Sequence, residues 1–187
     1  MDIYKLKWTS LQQEILRFLS IKSGMSFNAR AISKSLKVSP TAIGKSLQAL
    51  QEEGLIKVTK DKESRHLSIE LNRDNPQVFH LKRVDNLKMI YESNLADFLY
   101  NSFPGNTIVL FGSYSYGEDT IKSDIDIAII VNNIVDIIDT QIDLMKLRRK
   151  IDLRIEPHPF MVSDFNQSNP VVNEILKYGI TIDNIVN

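Results

Sequence analysis

Two aspartates, Asp124 and Asp126, stand at the head of an apolar stretch that ends at Val131. Side chains two positions apart on a β-strand project from the same face, so the two carboxylates are expected side by side. Carboxylates this close repel each other and are costly unless a cation lies between them. Oxygen ligands suit Mg²⁺ or Mn²⁺, so the pair predicts a site for a hard divalent cation.

A glycine-serine turn precedes the aspartates. Gly112 and Ser113 follow directly on the apolar run 107–111, and Gly117 comes next along the same segment. Gly112 lets the backbone pass close to a ligand, and Ser113 adds a hydroxyl. If a helix starts there, its unpaired N–H groups and its dipole favour phosphate. A metal site beside a phosphate-binding loop is what phosphoryl or nucleotidyl transfer requires, because metal ions clamp the triphosphate and one of them activates the attacking hydroxyl.

Such chemistry needs a third carboxylate on a neighbouring strand. Residues 150–156 alternate polar and apolar side chains after a predicted helix over 134–149, which predicts a strand on which Asp152, Arg154 and Glu156 share one face. We expect Asp152 to be the third ligand or the base that deprotonates the attacking hydroxyl, with Glu156 as the alternative. Arg154 would hold a phosphate or pair with a carboxylate.

Histidine and cysteine offer no rival metal site. His66, His80 and His158 lie far apart in the sequence, so no histidine cluster is expected. Cysteine is absent, which excludes disulfides, thiolate metal sites and a cysteine nucleophile.

The motif FGSYSYG at 111–117, followed by SDID at 123–126, resembles the signature of the DNA polymerase β nucleotidyltransferase superfamily. Within it the pattern is similar to the minimal nucleotidyltransferases of archaea and bacteria, over about residues 104–187. The resemblance implies a small mixed sheet with helices on one side. It also implies Mg²⁺-dependent transfer of a nucleoside monophosphate from a nucleoside triphosphate, which we expect to be ATP.

The same resemblance assigns roles to residues. It implies catalytic, metal-binding carboxylates at Asp124, Asp126 and Asp152. It implies triphosphate binding by Gly112 and Ser113, and we expect Gly117, Lys122 and Ser123 of the same loop to contribute to the nucleotide site. The acceptor is not identified by the pattern, although in some relatives it is a protein, notably the partner toxin of an antitoxin.

One position departs from the family pattern. Relatives often carry Arg just before the second glycine, where this chain has Tyr116. A cation for the triphosphate is therefore missing there, and Lys122 would compensate from the other end of the loop.

The N-terminal part has the opposite charge to the C-terminal part. Residues 1–75 hold 13 Lys and Arg against 8 Asp and Glu, a net charge of +5, and residues 76–187 carry −5. Apolar spacing predicts three short helices before Gly54, the third opened by Ser39 and Pro40, and then a two-stranded hairpin. This is the pattern of a winged helix-turn-helix. The segment 38–58 resembles the turn, recognition helix and first wing strand of bacterial and archaeal winged-helix regulators, a resemblance that covers about residues 8–72.

The third helix is expected to enter the major groove of double-stranded DNA. Ile43, Leu47 and Leu50 form its inward stripe, so its polar residues face outward. The predicted DNA contacts are Thr41, Lys45 and Gln48 on the helix and Lys60, Lys62 and Arg65 at the hairpin tip. The alternative is a winged-helix module that contacts protein. Aromatic residues form no stacking platform, which argues against single-stranded nucleic acid.

Residues 77–101 keep a helical apolar period and predict one continuous helix. The expected α+β architecture is therefore a winged helix-turn-helix over 1–75, a connecting helix over 76–103 and a nucleotidyltransferase domain over 104–187. The connecting helix can pack on its own domains or on a second copy, which leaves a homodimer open.

Together these features predict a Mg²⁺-dependent nucleotidyltransferase tethered to a DNA-binding domain. The alternatives are a catalytically inactive, nucleotide-sensing transcriptional regulator and an antitoxin-like protein whose main partner is another protein. No apolar run approaches the roughly 20 residues of a membrane span, and the N-terminus lacks the apolar core of a signal peptide. We therefore expect a cytoplasmic protein without a membrane partner.

Overall fold

The computed structural model describes residues 7–60, 67–131 and 154–182. The chain divides into two compact units, Met1–Lys82 and Arg83–Asn187. The elements that lie wholly in the first unit are α1 (Ser10–Ile21), β1 (Ser26–Phe27), α2 (Ala29–Leu36), α3 (Pro40–Glu52), β2 (Ile56–Lys60) and β3 (Leu67–Leu71). The boundary between the units falls inside the next helix, α4 (Pro76–Glu92).

Side chains cap the three helices that lie wholly in the first unit, the third of them at Ser39 and Pro40 as predicted. Thr9 and Gln12 form a capping box at the start of α1, because each side chain accepts a hydrogen bond from the backbone N–H of the other residue. Asn28 accepts from the Ala31 N–H at the start of α2, and Ser39 caps α3 in front of Pro40.

The first unit is a winged helix-turn-helix. Its three strands pair antiparallel in the order β1-β3-β2, so the β2–β3 hairpin of the wing is joined by a short strand that the sequence did not indicate. The predicted inward stripe of α3 is confirmed. The helices and the sheet share one apolar core, whose fully buried members include Ile15, Leu19, Ile32, Ile43, Leu50, Leu55 and Ile69.

The prediction of one continuous helix over 77–101 is wrong. The structure has two helices, α4 and α5 (Leu95–Ser102), separated at Asn94, whose φ of 60° lies in the left-handed region. That conformation ends a right-handed helix, and asparagine tolerates it better than most residues. After the break, α5 buries Leu95, Leu99 and the following Phe103 in the core of the second unit.

The remaining elements of the second unit form a mixed sheet with helices. They are β4 (Thr107–Phe111), α6 (Gly112–Tyr116), β5 (Ile125–Val131), β6 (Ile155–Met161), a 3₁₀ turn (Val162–Asp164), α7 (Pro170–Tyr178) and β7 (Ile180–Thr181). The strand order is β6-β5-β4-β7, with β5 and β6 parallel and the other pairs antiparallel.

The two faces of this sheet have different environments. One face contributes Leu110, Ile127 and Ile129 to the large core that α5 covers. The other face packs Val109, Phe111 and Ala128 against Ile175 of α7, so helices cover both faces and the expectation of helices on one side is wrong. Asp126 lies on this second face by strand parity, at the end of the sheet where the apolar side chains stop.

Proline does not end β6. Pro157 and Pro159 lie within the strand, which is the end strand of the sheet among the described residues. Proline is confined to strand ends, bulges and edge strands because it has no N–H to donate, and here it lies on an edge strand. The predicted helix over 134–149 and the start of the predicted strand lie outside the described residues. No helix in the described part of the chain is long and apolar enough to cross a membrane.

Candidate active site

The second unit places two acidic residues at the head of β5. Asp124 directly precedes the strand, and Asp126 is its second residue, with a side chain that is 26% exposed. Asp126 lies opposite Phe111 on β4 and opposite Glu156 on β6. The carboxylate therefore lies in the middle of three strands, where neighbouring elements can supply further ligands.

Gly112 brings the backbone directly against the Asp126 carboxylate. Its φ of 65° is left-handed, and a Cβ at this position would overlap the Asp126 carboxylate oxygen Oδ2. Only glycine satisfies both requirements. The structure thus places the glycine-serine turn in contact with one of the two predicted catalytic aspartates.

The loop residues after Gly112 have structural partners. Ser113 is half-buried in α6, and its carbonyl accepts the N–H groups of Gly117 and Glu118. Gly117 adopts a φ of 80° and ends the helix. A glycine is therefore favoured at position 117 because the chain adopts a left-handed conformation where α6 ends.

Ser123 and Lys122 lie in the turn that leads into Asp124. The Ser123 hydroxyl accepts a hydrogen bond from the Thr120 N–H at 3.0 Å, and the Ser123 N–H donates to the Thr120 carbonyl at 3.0 Å. These two bonds close the turn. Lys122 is exposed on the same turn.

A buried asparagine that sequence reasoning missed anchors α6. The Asn86 Nδ2 group of α4 donates to the Asp119 carboxylate at 2.7 Å and to the Tyr114 carbonyl at 3.0 Å. Both Asn86 and Asp119 are buried. Burial, together with the negative charges of Asp119 and Asp124, raises the pKa of Tyr114 to about 12. No local pattern around Asn86 could have indicated this role, because its partners lie 28 and 33 residues away.

On the other side of Asp126, the edge strand supplies a histidine. The His158 Nε2 atom lies 3.1 Å from the Asp126 Oδ1 atom, and the ring packs edge-to-face on Phe111 with 5.0 Å between centroids. Glu156 shares this face, and ligand atoms of Asp126, Glu156 and His158 all lie within 4.8 Å of one another.

The sequence predicts no histidine cluster, and it did not lead us to anticipate that the single histidine His158 lies against Asp126. Sequence distance was a poor guide, because parallel pairing of β5 and β6 brings together residues 32 positions apart. The feature of the sequence that could have identified His158 was strand parity. Extending the predicted strand through Pro157 places His158 on the face of Glu156.

Burial raises the pKa of the Asp126 carboxyl group above its ordinary value. The negative charges of Glu156 and Asp124 act in the same direction, while the hydrogen bond and the charge of His158 oppose them. The ionised carboxylate is thus held among other acids and away from bulk water, an environment that a divalent cation would relieve.

Tyr116, the position at which relatives often carry arginine, contacts α7. Its hydroxyl donates to the Glu174 carboxylate at 2.9 Å, and its ring packs edge-to-face on Tyr178 at 5.2 Å. Burial and the Glu174 carboxylate raise the pKa of the Tyr116 hydroxyl above its ordinary value. The side chain at this position therefore fixes α6 on α7 and brings no positive charge to the loop.

The described residues include one of the two alternatives for the third carboxylate. Glu156 lies beside Asp126, whereas Asp152 lies outside the described part of the chain. Lys62 and Arg65 at the hairpin tip also fall outside it.

The predicted DNA contacts that the structure describes are exposed. Thr41, Lys45 and Gln48 lie along the outer side of α3, and Lys60 lies at the end of β2. Gln48 also donates a hydrogen bond to the Glu52 carboxylate at 2.8 Å. Gly44 is exposed between these residues, and nothing lies within 4 Å of where its Cβ would be. The face therefore carries polar groups and a bare stretch of helix that allows close approach.

Several solved structures are similar to parts of the chain. A cysteine-to-serine variant of Lactococcus lactis ZitR is 28% identical, with a TM-score of 0.37, and covers 54% of this chain and 66% of its own. The same variant in complex with DNA is 27% identical, with a TM-score of 0.37, and covers 56% of this chain and 68% of its own. The adhesin competence repressor AdcR of Streptococcus pyogenes is 18% identical, with a TM-score of 0.37, and covers 75% of this chain and 81% of its own.

TM-scores this low do not establish a shared fold, so the winged-helix topology rests on the element order described above. The chain spans 66% of the length of the first of these structures, slightly under two thirds. No curated protein matches the chain.

A family model gives a match that covers the acidic site. Residues 93–184 match the family described as "Polymerase beta, Nucleotidyltransferase". The matched range contains the Gly112 turn, both aspartates at the head of β5 and the edge strand β6. The C-terminal part of the chain is therefore similar to nucleotidyltransferase domains of the polymerase β type.

Proposed function

We propose that this protein transfers a nucleoside monophosphate from a nucleoside triphosphate, with ATP as the expected donor, and that its winged helix binds double-stranded DNA. The observation that carries the catalytic part is the contact between the Gly112 backbone and the Asp126 carboxylate, with Asp124 at the same strand head. A phosphate-binding turn and metal-binding carboxylates must adjoin in such a site, because the same metal ion contacts both the protein and the triphosphate.

The donor set fits the magnesium ion that this family implies. Asp124, Asp126 and Glu156 offer carboxylate oxygens at the ends of two neighbouring strands, and Mg²⁺ prefers oxygen ligands. Bound there, the ion would neutralise negative charge on the triphosphate.

The chain's own residues would position the nucleotide. The Gly112 backbone lies directly against the Asp126 carboxylate, and the Ser113 hydroxyl, next to it in sequence, would bind the triphosphate. In the reaction, an acceptor hydroxyl forms a bond to the α-phosphorus and gives up its proton, and the bond to the departing pyrophosphate breaks.

The DNA-binding part is supported by the winged-helix topology and by the polar outer face of α3. The residues Thr41, Lys45 and Gln48 are exposed there, while the apolar side chains of the same helix are buried. A helix of this kind can offer its polar side chains to base edges and phosphates in the major groove.

One observation favours the alternative of a catalytically inactive, nucleotide-sensing regulator. Tyr116 replaces the arginine that relatives often carry, and its hydroxyl is held by Glu174. The loop then has one cation fewer to hold the triphosphate.

The test is incubation of the purified full-length chain with each α-labelled nucleoside triphosphate and Mg²⁺, with and without host lysate. We expect labelled acceptor with the wild type. Asp124→Asn and Asp126→Asn should lower the rate by about 100-fold or more, the loss typical when a group that stabilises transition-state charge is removed. Asp164→Asn, an exposed acid elsewhere in the unit, is the matched control and should not lower it.

A wild type that binds the triphosphate but labels nothing would establish the inactive regulator. Transfer that survives in both aspartate variants would overturn the proposed active site.

A further inference from the structure

The three ligand-bearing side chains beside β5 do not form an all-oxygen set. Asp126 and Glu156 are register partners on adjacent parallel strands, and His158 follows Glu156 by two residues on the same face. Their ligand atoms lie within 4.8 Å of one another. A single ion placed among them would therefore contact an imidazole nitrogen as well as two carboxylates.

This donor set selects among divalent cations. Imidazole nitrogen is a common ligand of Zn²⁺ and other first-row transition metals, whereas Mg²⁺ is held through oxygen. Three protein ligands with at least one open position are typical of catalytic zinc centres. The family signature, built on aspartates, would by itself give a hard-cation site.

The surroundings allow an ion to enter and hold the ring in place. The side chains of His158 and Asp126 are 34% and 26% exposed, so the cluster is neither sealed nor fully hydrated. Phe111 packs edge-to-face on the His158 ring, which restricts its rotation. Asp124 adds a further negative charge nearby.

We propose that Asp126, Glu156 and His158 form a mixed nitrogen and oxygen metal site that binds Zn²⁺, Co²⁺ and Mn²⁺ more tightly than Mg²⁺. The site shares Asp126 and Glu156 with the nucleotidyltransferase centre and in that respect rests on the proposed function. It makes His158 the residue that determines which metal this chain uses.

The test is a titration of the metal-stripped full-length protein with Co²⁺ alone, followed by visible absorption and calorimetry. We expect a visible ligand-field band and affinities that rise from Mn²⁺ through Co²⁺ to Zn²⁺. His158→Ala should weaken Co²⁺ binding by about 10- to 100-fold, while Mg²⁺ affinity changes by about twofold or less. Glu156→Gln should weaken Co²⁺ binding as well.

His80→Ala, an exposed histidine on α4, is the matched control and should bind Co²⁺ as the wild type does. Circular dichroism of each variant verifies folding. The proposed site would be overturned if the protein bound Co²⁺ no more tightly than Mg²⁺. It would also be overturned if a folded His158→Ala variant bound Co²⁺ with unchanged affinity.

A further variant separates this proposal from the enzymatic one. Asp124 lies outside the trio, so the Asp124→Asn variant should retain the Co²⁺ band. The same variant should lose nucleotide transfer, because Asp124 belongs to the proposed catalytic centre. If no transfer is found but the Co²⁺ band depends on His158, the enzymatic proposal fails and the metal site stands. If Mg²⁺ supports transfer but the His158→Ala substitution leaves Co²⁺ binding unchanged, only the metal proposal fails.

Discussion

At the scale of single residues, the contact between Gly112 and Asp126 restricts what the turn can contain. A side chain at this position would destabilise the fold in two ways, through the left-handed backbone conformation and through overlap with the Asp126 carboxylate. Gly105 carries only the first, because its φ of 79° is equally left-handed but nothing lies within 4 Å of its Cβ position.

This contrast gives a prediction. Gly105→Ala should lower the free energy of unfolding by about 1 kcal/mol, the cost of a left-handed alanine. Gly112→Ala should lower it by about 1 kcal/mol more, since the carboxylate must move, and should also abolish nucleotide transfer. Urea denaturation of the two variants measures the difference. Equal losses of stability would contradict the close approach.

Strand parity alone predicts that Asp124 and Asp126 project from one face, because residues two apart on a strand need no tertiary information. His158 could not be predicted in this way. Its approach to Asp126 depends on which strands pair and in what register, and the sequence pattern of β6 alone does not determine either.

At the scale of elements, α4 serves as more than a connector. Its Asn86 amide donates two hydrogen bonds, to Asp119 and to the Tyr114 carbonyl, and so joins α6 to the turn before Asp124. The loop that would receive phosphates is thus held from behind by a helix that the sequence presents only as an amphipathic connector.

Asn86→Ala should therefore lower the free energy of unfolding by about 1 to 3 kcal/mol, since a buried hydrogen bond to a carboxylate is lost. Nucleotide transfer should show a raised KM, because the loop loses its anchor. Asn173→Ala, exposed on α7, should change stability by less than about 0.5 kcal/mol. Chemical denaturation and steady-state kinetics of both variants check this. An Asn86→Ala variant with the same free energy of unfolding as the wild type would contradict the anchoring role of Asn86.

The starts of the helices could be predicted from local sequence, whereas the break between α4 and α5 could not. Thr9, Asn28 and Ser39 start their helices as capping residues do, and these starts are visible in the sequence. The break at Asn94 was not visible, because the apolar period continues across it. It is stabilised by the burial of Leu95 and Leu99, which depends on the sheet beneath α5.

At the scale of the whole molecule, opposite charges divide between the two parts of the chain. The net charge is zero overall, yet residues 1–75 carry +5 and residues 76–187 carry −5. The proposed DNA binding would therefore have to come from particular cations on the winged helix, because the chain as a whole gives no general attraction for phosphate.

We accordingly expect duplex binding that weakens as salt rises. Lys45→Ala should weaken binding and reduce the slope of log affinity against log salt by about one, the effect of one lost phosphate contact. Lys88→Ala, an exposed lysine on α4, is the control and should leave the slope unchanged. Fluorescence anisotropy with labelled duplexes at several salt concentrations measures both. Identical slopes for wild type and Lys45→Ala would argue against α3 as the DNA-binding helix.

The prolines of β6 restrict how an acceptor can reach the site. The Arg154 carbonyl accepts the Ile125 N–H, so even-numbered residues of this strand direct their backbone groups toward β5. Pro157 and Pro159 therefore occupy outward positions, and neither has an N–H to donate there. Among the described residues, where β6 is the end strand, the two missing N–H groups disfavour pairing of a peptide with this rim. An acceptor of the proposed reaction would instead approach over the side chains of Glu156 and His158.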